Sequence, residues 1–149
     1  MIELKKALKE QCLQDLRSRK SIAEEAMKGA QDSANQETKS SAGDKYETGR
    51  AMAQQERDKF AAQVAQLNKS IKVLEQMPII NNQVAEYGAL VKTGAGFYFL
   101  ATSLGSLTQD NAKYFAVSPT SPIGQALLGL KKGEATTFNG QNLKVEEVF

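Results

Sequence analysis

Residues 32–49 have the sequence DSANQETKSSAGDKYETG, and they interrupt a pattern that is otherwise helical throughout the first half of the chain. The stretch is rich in Ser, Asn, Asp and Gly and contains almost no large apolar side chain. These residue types favour turns over regular structure. We therefore predict a turn in this region, with its tip near residues 40–49.

An apolar stripe lies on each side of this turn. The stripe that follows has heptad spacing of 4, 3, 4 and 3, and consists of Phe60, Val64, Leu67, Ile71 and Leu74. The stripe that precedes it consists of Leu4, Leu8, Cys12 and Leu16, and continues through the smaller Ala23, Ala26 or Met27, and Ala30. Two stripes joined by a polar turn predict an antiparallel helical hairpin, with arms of about 30–40 residues and about 45–60 Å.

The composition of the chain changes near Pro78. Residues 78–149 contain all three prolines, eight of the eleven glycines and eight of the ten aromatic residues. A charged, glycine-poor half followed by a glycine-rich, aromatic half indicates two modules. We predict a helical hairpin (coiled-coil) domain over residues 1–77 and a β domain over residues 78–149.

The second half has the features of a small antiparallel sheet with one short helix. Strand-like stretches are 85–92, 96–102 and 113–118, and a hairpin is predicted from 134–138 to 143–148 across Asn139-Gly140. Ser121 has the residue type of an N-cap and Pro122 suits the first helical position. Gly129 or Gly133 would end that helix. The predicted fold class is α+β.

The composition excludes several classes of function. The chain has no histidine and one cysteine, so histidine-dependent catalysis, the usual zinc sites and an internal disulfide are excluded. A formal net charge of +2 over 149 residues does not by itself indicate nucleic-acid binding. Cys12 is interpreted as a small packing residue. The charged N-terminal sequence has no signal-peptide pattern, so we expect a cytoplasmic protein without a membrane span.

Two segments resemble the bacterial Gre-type transcription elongation factors, which stimulate transcript cleavage. Residues 117–129, VSPTSPIGQALLG, resemble one family segment, and residues 131–134 resemble the link that follows it. The Asn139-Gly140 hairpin and the strand 144–148 match the end of that domain. Residues 43–47, GDKYE, resemble the family's G-D-x-x-E tip, with Glu56 and Phe60 on further family positions. The module order, hairpin first, also agrees, so the resemblance covers nearly the whole chain.

The resemblance implies an FKBP-like fold for residues 78–149, without isomerase activity. It also implies that this domain docks on RNA polymerase at the rim of the secondary channel, through Ser121, Pro122 and Ile123. The hairpin would then enter the channel and stimulate cleavage of backtracked RNA near its 3′ end. On this basis the protein is not itself an enzyme, and we expect a monomer that contacts the nascent RNA only indirectly.

Asp44 and Glu47 are the residues to which the resemblance assigns the chemistry. Their i, i+3 spacing places both carboxylates on one side of a helical turn. Two carboxylates bind Mg²⁺ weakly, because this ion requires six oxygen ligands. We therefore predict that the free protein does not hold Mg²⁺ tightly, and that the ion is shared with the polymerase, which would supply the other ligands.

The tip departs from the family pattern in two ways. Lys45 replaces the usual Leu, and Thr48 replaces the usual Asn. Lys45, Tyr46 and Arg50 are candidates for contact with RNA or the channel wall, although they are equally explained as solvated surface residues. Two alternatives stay open: a secondary-channel regulator that does not promote cleavage, and a self-associating coiled-coil interaction protein.

Overall fold

The computed structural model describes the backbone of residues 1–39 and 44–149, and the side chains of residues 1–36 and 47–149. Two long helices come first, α1 (Ile2–Lys39) and α2 (Asp44–Glu75). The remaining elements are β1 (Leu90–Thr93), β2 (Gly96–Leu100), β3 (Gly105–Gln109), β4 (Ala112–Val117), α3 (Pro122–Leu127), β5 (Ala135–Phe138) and β6 (Gln141–Val148). The predicted α+β class is confirmed: a long helical hairpin precedes a small, mainly antiparallel sheet with one short helix.

The two long helices cover more of the stretch 32–49 than the sequence predicts. Most of the stretch 32–49 is helical, because α1 continues to Lys39 and α2 begins at Asp44. Residues such as Gln36, Glu37 and Lys39 are good helix formers, and their preference prevails over the turn-forming residues beside them. Part of the predicted tip, residues 40–43, lies outside the described residues.

The chain forms two compact units. One consists of Leu16–Lys72, and the other combines Met1–Asp15 with Val73–Phe149. Both long helices therefore contribute residues to both units. The domain ranges predicted from composition, 1–77 and 78–149, remain a prediction about how the chain divides.

In the helical unit, Leu16–Lys72, each helix has a narrow row of buried or half-buried apolar side chains, which we call the seam. On α1 the buried side chains are Leu16, Ala23, Ala30 and Ala34, so three of the four are alanines. On α2 the seam residues Phe60, Val64 and Leu67 are half-buried, and Ile71 is buried. The predicted stripes therefore lie on the buried faces of both helices, and the small residues leave little apolar area in this seam.

The sheet of the other unit has the strand order β3-β4-β2-β1-β6-β5. Four neighbouring pairs are antiparallel, but β2 and β4 are parallel, with Tyr98 opposite Phe115. The sequence prediction did not include β3. Only Leu107 of its five residues is a buried apolar side chain, so the strand lacks the usual apolar alternation. The residue pair Asp110-Asn111, which forms the turn between β3 and β4, is the local sequence feature that indicates this hairpin. Both residues have the positive φ that such turns require.

The first predicted strand, 85–92, is wrong over most of its length. Only Leu90–Thr93 pairs as β1, and residues 86–89 form a turn closed by the Ala89 amide donating to the Glu86 carbonyl at 2.9 Å. Gly88 has φ of +93°, a backbone conformation that residues with a side chain rarely adopt and that is incompatible with a β-strand. A Cβ at this position would lie 2.9 Å from the carbonyl oxygen of Pro78.

One hydrophobic cluster of the sheet unit joins α3 to the strands, and its buried members are Ala85, Ala89, Val91, Leu100, Leu127 and Val145. Half-buried Tyr98, Val117, Ile123, Leu130 and Val148 pack around them. Leu90 and Phe99, which alternate with Val91 and Leu100 along β1 and β2, are also fully buried, so both faces of the sheet carry buried side chains. The predicted hairpin across Asn139-Gly140 is confirmed as β5 and β6, and both turn residues have the positive φ that such a turn needs.

Candidate functional site

The predicted acidic tip falls at the first turn of α2. Asp44 is the first residue of that helix and Glu47 lies three positions later, within the same turn. Residues at i and i+3 of a helix lie on the same side of it. The side chain of Glu47 is exposed, and those of Asp44, Lys45 and Tyr46 lie outside the described side chains.

The acidic pair occupies the end of the helix that favours negative charge. Unpaired backbone N–H groups give a helix N-terminus a partial positive charge, which stabilises nearby carboxylates. The same charge makes the first turn a weak attractor for oxygen ligands and anions. Arg50 follows one turn later and is exposed, so a cationic group is available close to Glu47 along the helix.

Two other basic residues of α2, Arg57 and Lys59, differ in whether their charge is already paired. Lys59 is exposed, whereas Arg57 forms an ion pair with the carboxylate of its neighbour Asp58. An open depression of about 430 Å³ lies two turns beyond Glu47 and is lined by Met52, Ala53, Gln55, Glu56 and Lys59. Its walls come from consecutive turns of α2, so it is a surface feature and not an enclosed pocket.

The described residues do not contain a complete metal site. No cluster of three or more His, Cys, Asp or Glu side chains suited to a metal ion occurs among them. Asp44 and Glu47 could together supply at most a few of the six oxygens that Mg²⁺ requires. This donor set fits a shared ion, and the predicted roles of both residues stay predictions.

The second predicted site, at Ser121, Pro122 and Ile123, forms the start of α3. Ser121 is the N-cap, and its Oγ accepts a hydrogen bond from the Gly124 amide at 3.1 Å. The same hydroxyl donates to the Ser118 carbonyl at 2.6 Å, which fixes the preceding loop. Pro122 occupies the first helical position, as predicted. Leu128 caps the helix and Gly129, with φ of +85°, follows it, so Gly129 and not Gly133 marks its end.

This capping geometry limits which side chains could contact a partner. Ile123 packs against the core, and the Ser121 hydroxyl already makes two internal hydrogen bonds. Of the three predicted docking residues, only Pro122 is exposed. Docking through this segment stays a prediction; the exposed side chains of the segment include Pro122, Thr120, Gln125 and Leu128.

Sequence reasoning missed a buried polar cluster at the start of α1. Lys5 is fully buried, whereas the adjacent Lys6 is exposed and pairs with Glu3. Nothing in the local pattern LKKAL separates the two lysines, apart from the position of Lys5 beside the apolar residues Leu4 and Leu8. The acceptors that surround Lys5 come from segments that are 75 to 144 residues away.

Comparison with known proteins gives limited similarity. No protein-family model matches the chain, and no curated protein matches it. The crystal structure of GreA factor homolog 1 (Gfh1) of Thermus thermophilus is 21% identical, with 92% of this chain and 94% of that chain covered, at a TM-score of 0.37. A structure of the transcription factor Gfh1 gives 20% identity, 91% and 92% coverage, and the same TM-score. Values this low do not establish a family.

Among the described residues, no helix combines the length and the apolar character that crossing a membrane requires. The mean hydropathy of the whole chain is −0.42, which agrees with the largely polar faces of the two long helices.

Proposed function

We propose that this protein is a Gre-type transcription elongation factor that binds RNA polymerase and inserts its helical hairpin into the secondary channel. The observation that carries the proposal is the acidic first turn of α2, which begins with Asp44 and presents an exposed Glu47. The resemblance of residues 43–47 and 117–129 to Gre segments, in the same order along the chain, supports it. At 1.5 Å per residue, the 32-residue α2 is about 48 Å long.

In the finer form of the proposal, Asp44 and Glu47 help the polymerase to cleave backtracked RNA. Their carboxylates would complete the ligand shell of an Mg²⁺ ion that the polymerase also holds. When bound, such an ion supplies Lewis acidity toward the phosphodiester. The contribution of this chain is positional: Asp44 and Glu47 lie three residues apart in the first turn of α2, so both carboxylates would enter the channel together.

The decisive experiment uses a stalled, backtracked elongation complex with a 3′-labelled transcript and Mg²⁺. We expect the wild-type protein to release short 3′ RNA fragments. Asp44→Ala and Glu47→Ala should each reduce this release by at least about a hundredfold, because removing one positioned catalytic group commonly costs that much. Both variants should bind the polymerase as tightly as the wild type.

Glu25→Ala provides the matched control, because Glu25 is an exposed carboxylate on α1 and lies far from the acidic turn in sequence. This variant should cleave at the wild-type rate. Cleavage that is absent with the wild type, or that is equal in all four proteins, would refute the role of the acidic turn. Lack of binding to the polymerase would refute the broader proposal.

A second candidate function is a regulator that occupies the same channel without promoting cleavage. The exposed Arg50, one turn after Glu47, favours it, because a cation beside the acidic pair competes with Mg²⁺ for the carboxylates. This candidate predicts slower elongation with unchanged transcript length. The inhibition should persist in Asp44→Ala and weaken in Arg50→Ala.

A third candidate is self-association through the helical arms. Phe60, Val64 and Leu67 are only half-buried in a single chain, and a second chain could cover them. Sedimentation equilibrium separates this case from the others. A stable dimer without affinity for RNA polymerase would favour it, whereas a monomer that binds polymerase supports the main proposal.

A further inference from the structure

Two lysines one helical turn apart on α1, Lys5 and Lys9, donate hydrogen bonds to the segment that follows α2. The Nζ of Lys5 donates to the Ile80 carbonyl at 2.6 Å, to Oδ1 of Asn82 at 2.7 Å and to the Phe149 carbonyl at 3.0 Å. The Nζ of Lys9 donates to the carbonyls of Glu75 and Met77, both at 2.9 Å. We call residues 76–82 the connector, since they lead from α2 toward the sheet.

The two lysines bind different parts of this segment. Lys9 reaches the last residue of α2 and the second residue after it, where a helix leaves carbonyl groups without intrahelical partners. A cation there also interacts favourably with the negative end of the helix. Lys5 acts further along the chain, at residues 80 and 82, and also reaches the end of β6. Together they supply five hydrogen bonds to acceptors in or beside the connector.

Side-chain contacts, and not backbone hydrogen bonds, hold most of the connector. In the part of the chain that the structure describes, residues 78–82 take part in no backbone–backbone hydrogen bond. Ile80 is exposed, so apolar burial does not hold that residue. Met77 is buried and anchors the first part of the connector. The polar contacts from α1, together with the hydrogen bond from Asn82 Nδ2 to the Glu86 carboxylate at 2.7 Å, therefore hold the chain from Pro78 to Asn82.

The position of Lys5 is unusual for a residue that only adds stability. Its side chain is fully buried, and all three of its acceptors are neutral oxygens. Burying a charge without a directly bonded counter-ion has a substantial desolvation cost, which offsets much of the stability that its three hydrogen bonds provide. The ammonium has three donors and three acceptors surround it, which defines one arrangement of the connector.

We propose that Lys5 and Lys9 form a clasp that confines the connector to one path, and that this clasp can open while the sheet stays folded. The β strands make their own ladders and do not depend on the lysines for pairing. Opening would free the chain between Met77 and Asn82 without breaking a strand pair. The clasp is independent of the proposed function in transcription.

The experiment is limited proteolysis of the full native chain with thermolysin, which cleaves on the N-terminal side of apolar residues such as Ile79 and Ile80, with the fragments mapped by mass spectrometry. Lys5→Met and Lys9→Met keep a long, flexible side chain and remove the donors. We expect cleavage within residues 78–82 to become at least about tenfold faster in Lys5→Met, because losing about one net hydrogen bond raises the population of the open connector by about that factor. Lys9→Met should accelerate cleavage mainly before Met77 and Ile79.

Lys6→Met is the matched control, because Lys6 is adjacent on the same helix but exposed and paired with Glu3. Its cleavage pattern should equal that of the wild type. Two results would overturn the clasp. One is an unchanged rate of cleavage within the connector in Lys5→Met. The other is equal acceleration of cleavage within β1, β2 and β4, because opening would then require unfolding of the sheet.

Discussion

The Nζ of Lys5 and the Oδ1 of Asn82 lie 2.7 Å apart, both in buried side chains, although 77 residues separate them in sequence. Asn82 also donates through Nδ2 to the carboxylate of Glu86 at 2.7 Å. The amide thus links a buried cation to a carboxylate at the surface. This arrangement lets Glu86 stabilise the ammonium without direct contact, and it leads to the first prediction.

The stability of the protein should rise with pH just above neutrality. Burial lowers the pKa of Lys5 from 10.5 to about 8, and the charge of Glu86 opposes this shift. In the unfolded chain the same group keeps its proton up to about pH 10.5. Between pH 8 and 10.5 the unfolded state therefore binds more protons, so the free energy of unfolding increases with pH. We expect about 1 kcal/mol between pH 8 and pH 9, from urea titrations.

Two variants isolate the contribution of Lys5 to this pH dependence. Lys5→Met should remove the rise between pH 8 and pH 9, because the buried amine that loses its proton in that window is then absent. Lys6→Met should retain it, since Lys6 is exposed. A rise of equal size in Lys5→Met would mean that another group causes the effect.

Cys12 should make an opposite contribution at higher pH. Burial, with a smaller effect of the charge of Asp15, raises the pKa of this thiol from 9.0 to about 12. Above pH 9 the unfolded chain loses the thiol proton while the folded chain keeps it. The stability that Cys12 provides is therefore complete below pH 9 and is lost progressively as the pH rises toward 12.

The same shift predicts slow reaction of Cys12 with thiol reagents. At pH 8 a pKa of 12 in place of 9.0 leaves about a thousandfold less thiolate, and the thiolate is the reactive species. Labelling with an aromatic disulfide reagent should thus follow urea unfolding and not precede it. Rapid labelling of the native protein at pH 8 would contradict the buried position of this side chain.

Removal of the N-cap of α3 should destabilise the protein measurably. Ser121→Ala eliminates the hydrogen bond from the Gly124 amide and the bond to the Ser118 carbonyl. We expect a loss of about 1 kcal/mol in the free energy of unfolding, the usual effect of deleting a serine cap. Ser106→Ala, on the exposed side of β3, is the control and should change stability by less than about 0.5 kcal/mol.

Two Gly→Ala substitutions in helices should have opposite effects. A Cβ on Gly124 would lie 1.9 Å from the Ser118 carbonyl oxygen, so Gly124→Ala forces α3 away from its loop. We expect a loss of about 3 kcal/mol. A Cβ on Gly29 meets nothing within 4 Å, so Gly29→Ala should stabilise by about 0.5–1 kcal/mol through helix propensity alone. Thermal unfolding followed by circular dichroism measures both, and equal signs would contradict the prediction.

Local sequence signals predicted the elements that depend on neighbouring residues. Ser121 and Pro122 specify the start of α3 because capping and a fixed proline φ act within one helical turn. Asn139-Gly140 specifies the last hairpin because both residues tolerate positive φ. The stripe from Phe60 to Leu74 predicted the buried face of α2, since a helix places residues with this spacing on one side.

Prediction failed where a distant segment or a competing local preference decides the structure. The strand predicted from residue 85 is a turn at Gly88, which lies against the Pro78 carbonyl. The long polar stretch 32–49 is largely helical, because helix formers within it extend both helices. The candidate acidic pair could be placed on a helical turn from its spacing, but the ligands it needs are not encoded in this chain.

The sequence by itself determined the two long helices, the cap of α3, the Asn139-Gly140 turn and the i, i+3 spacing of Asp44 and Glu47; the structure placed this pair in the first turn of α2. Only the tertiary structure decided that β4 lies between β2 and β3, with β2 and β4 parallel, and that Lys5 is buried while Lys6 is exposed. The physical reason is the range of the interactions. Capping, turn geometry and helical periodicity act over a few residues, whereas strand order and the acceptors of Lys5 depend on segments brought together by the fold.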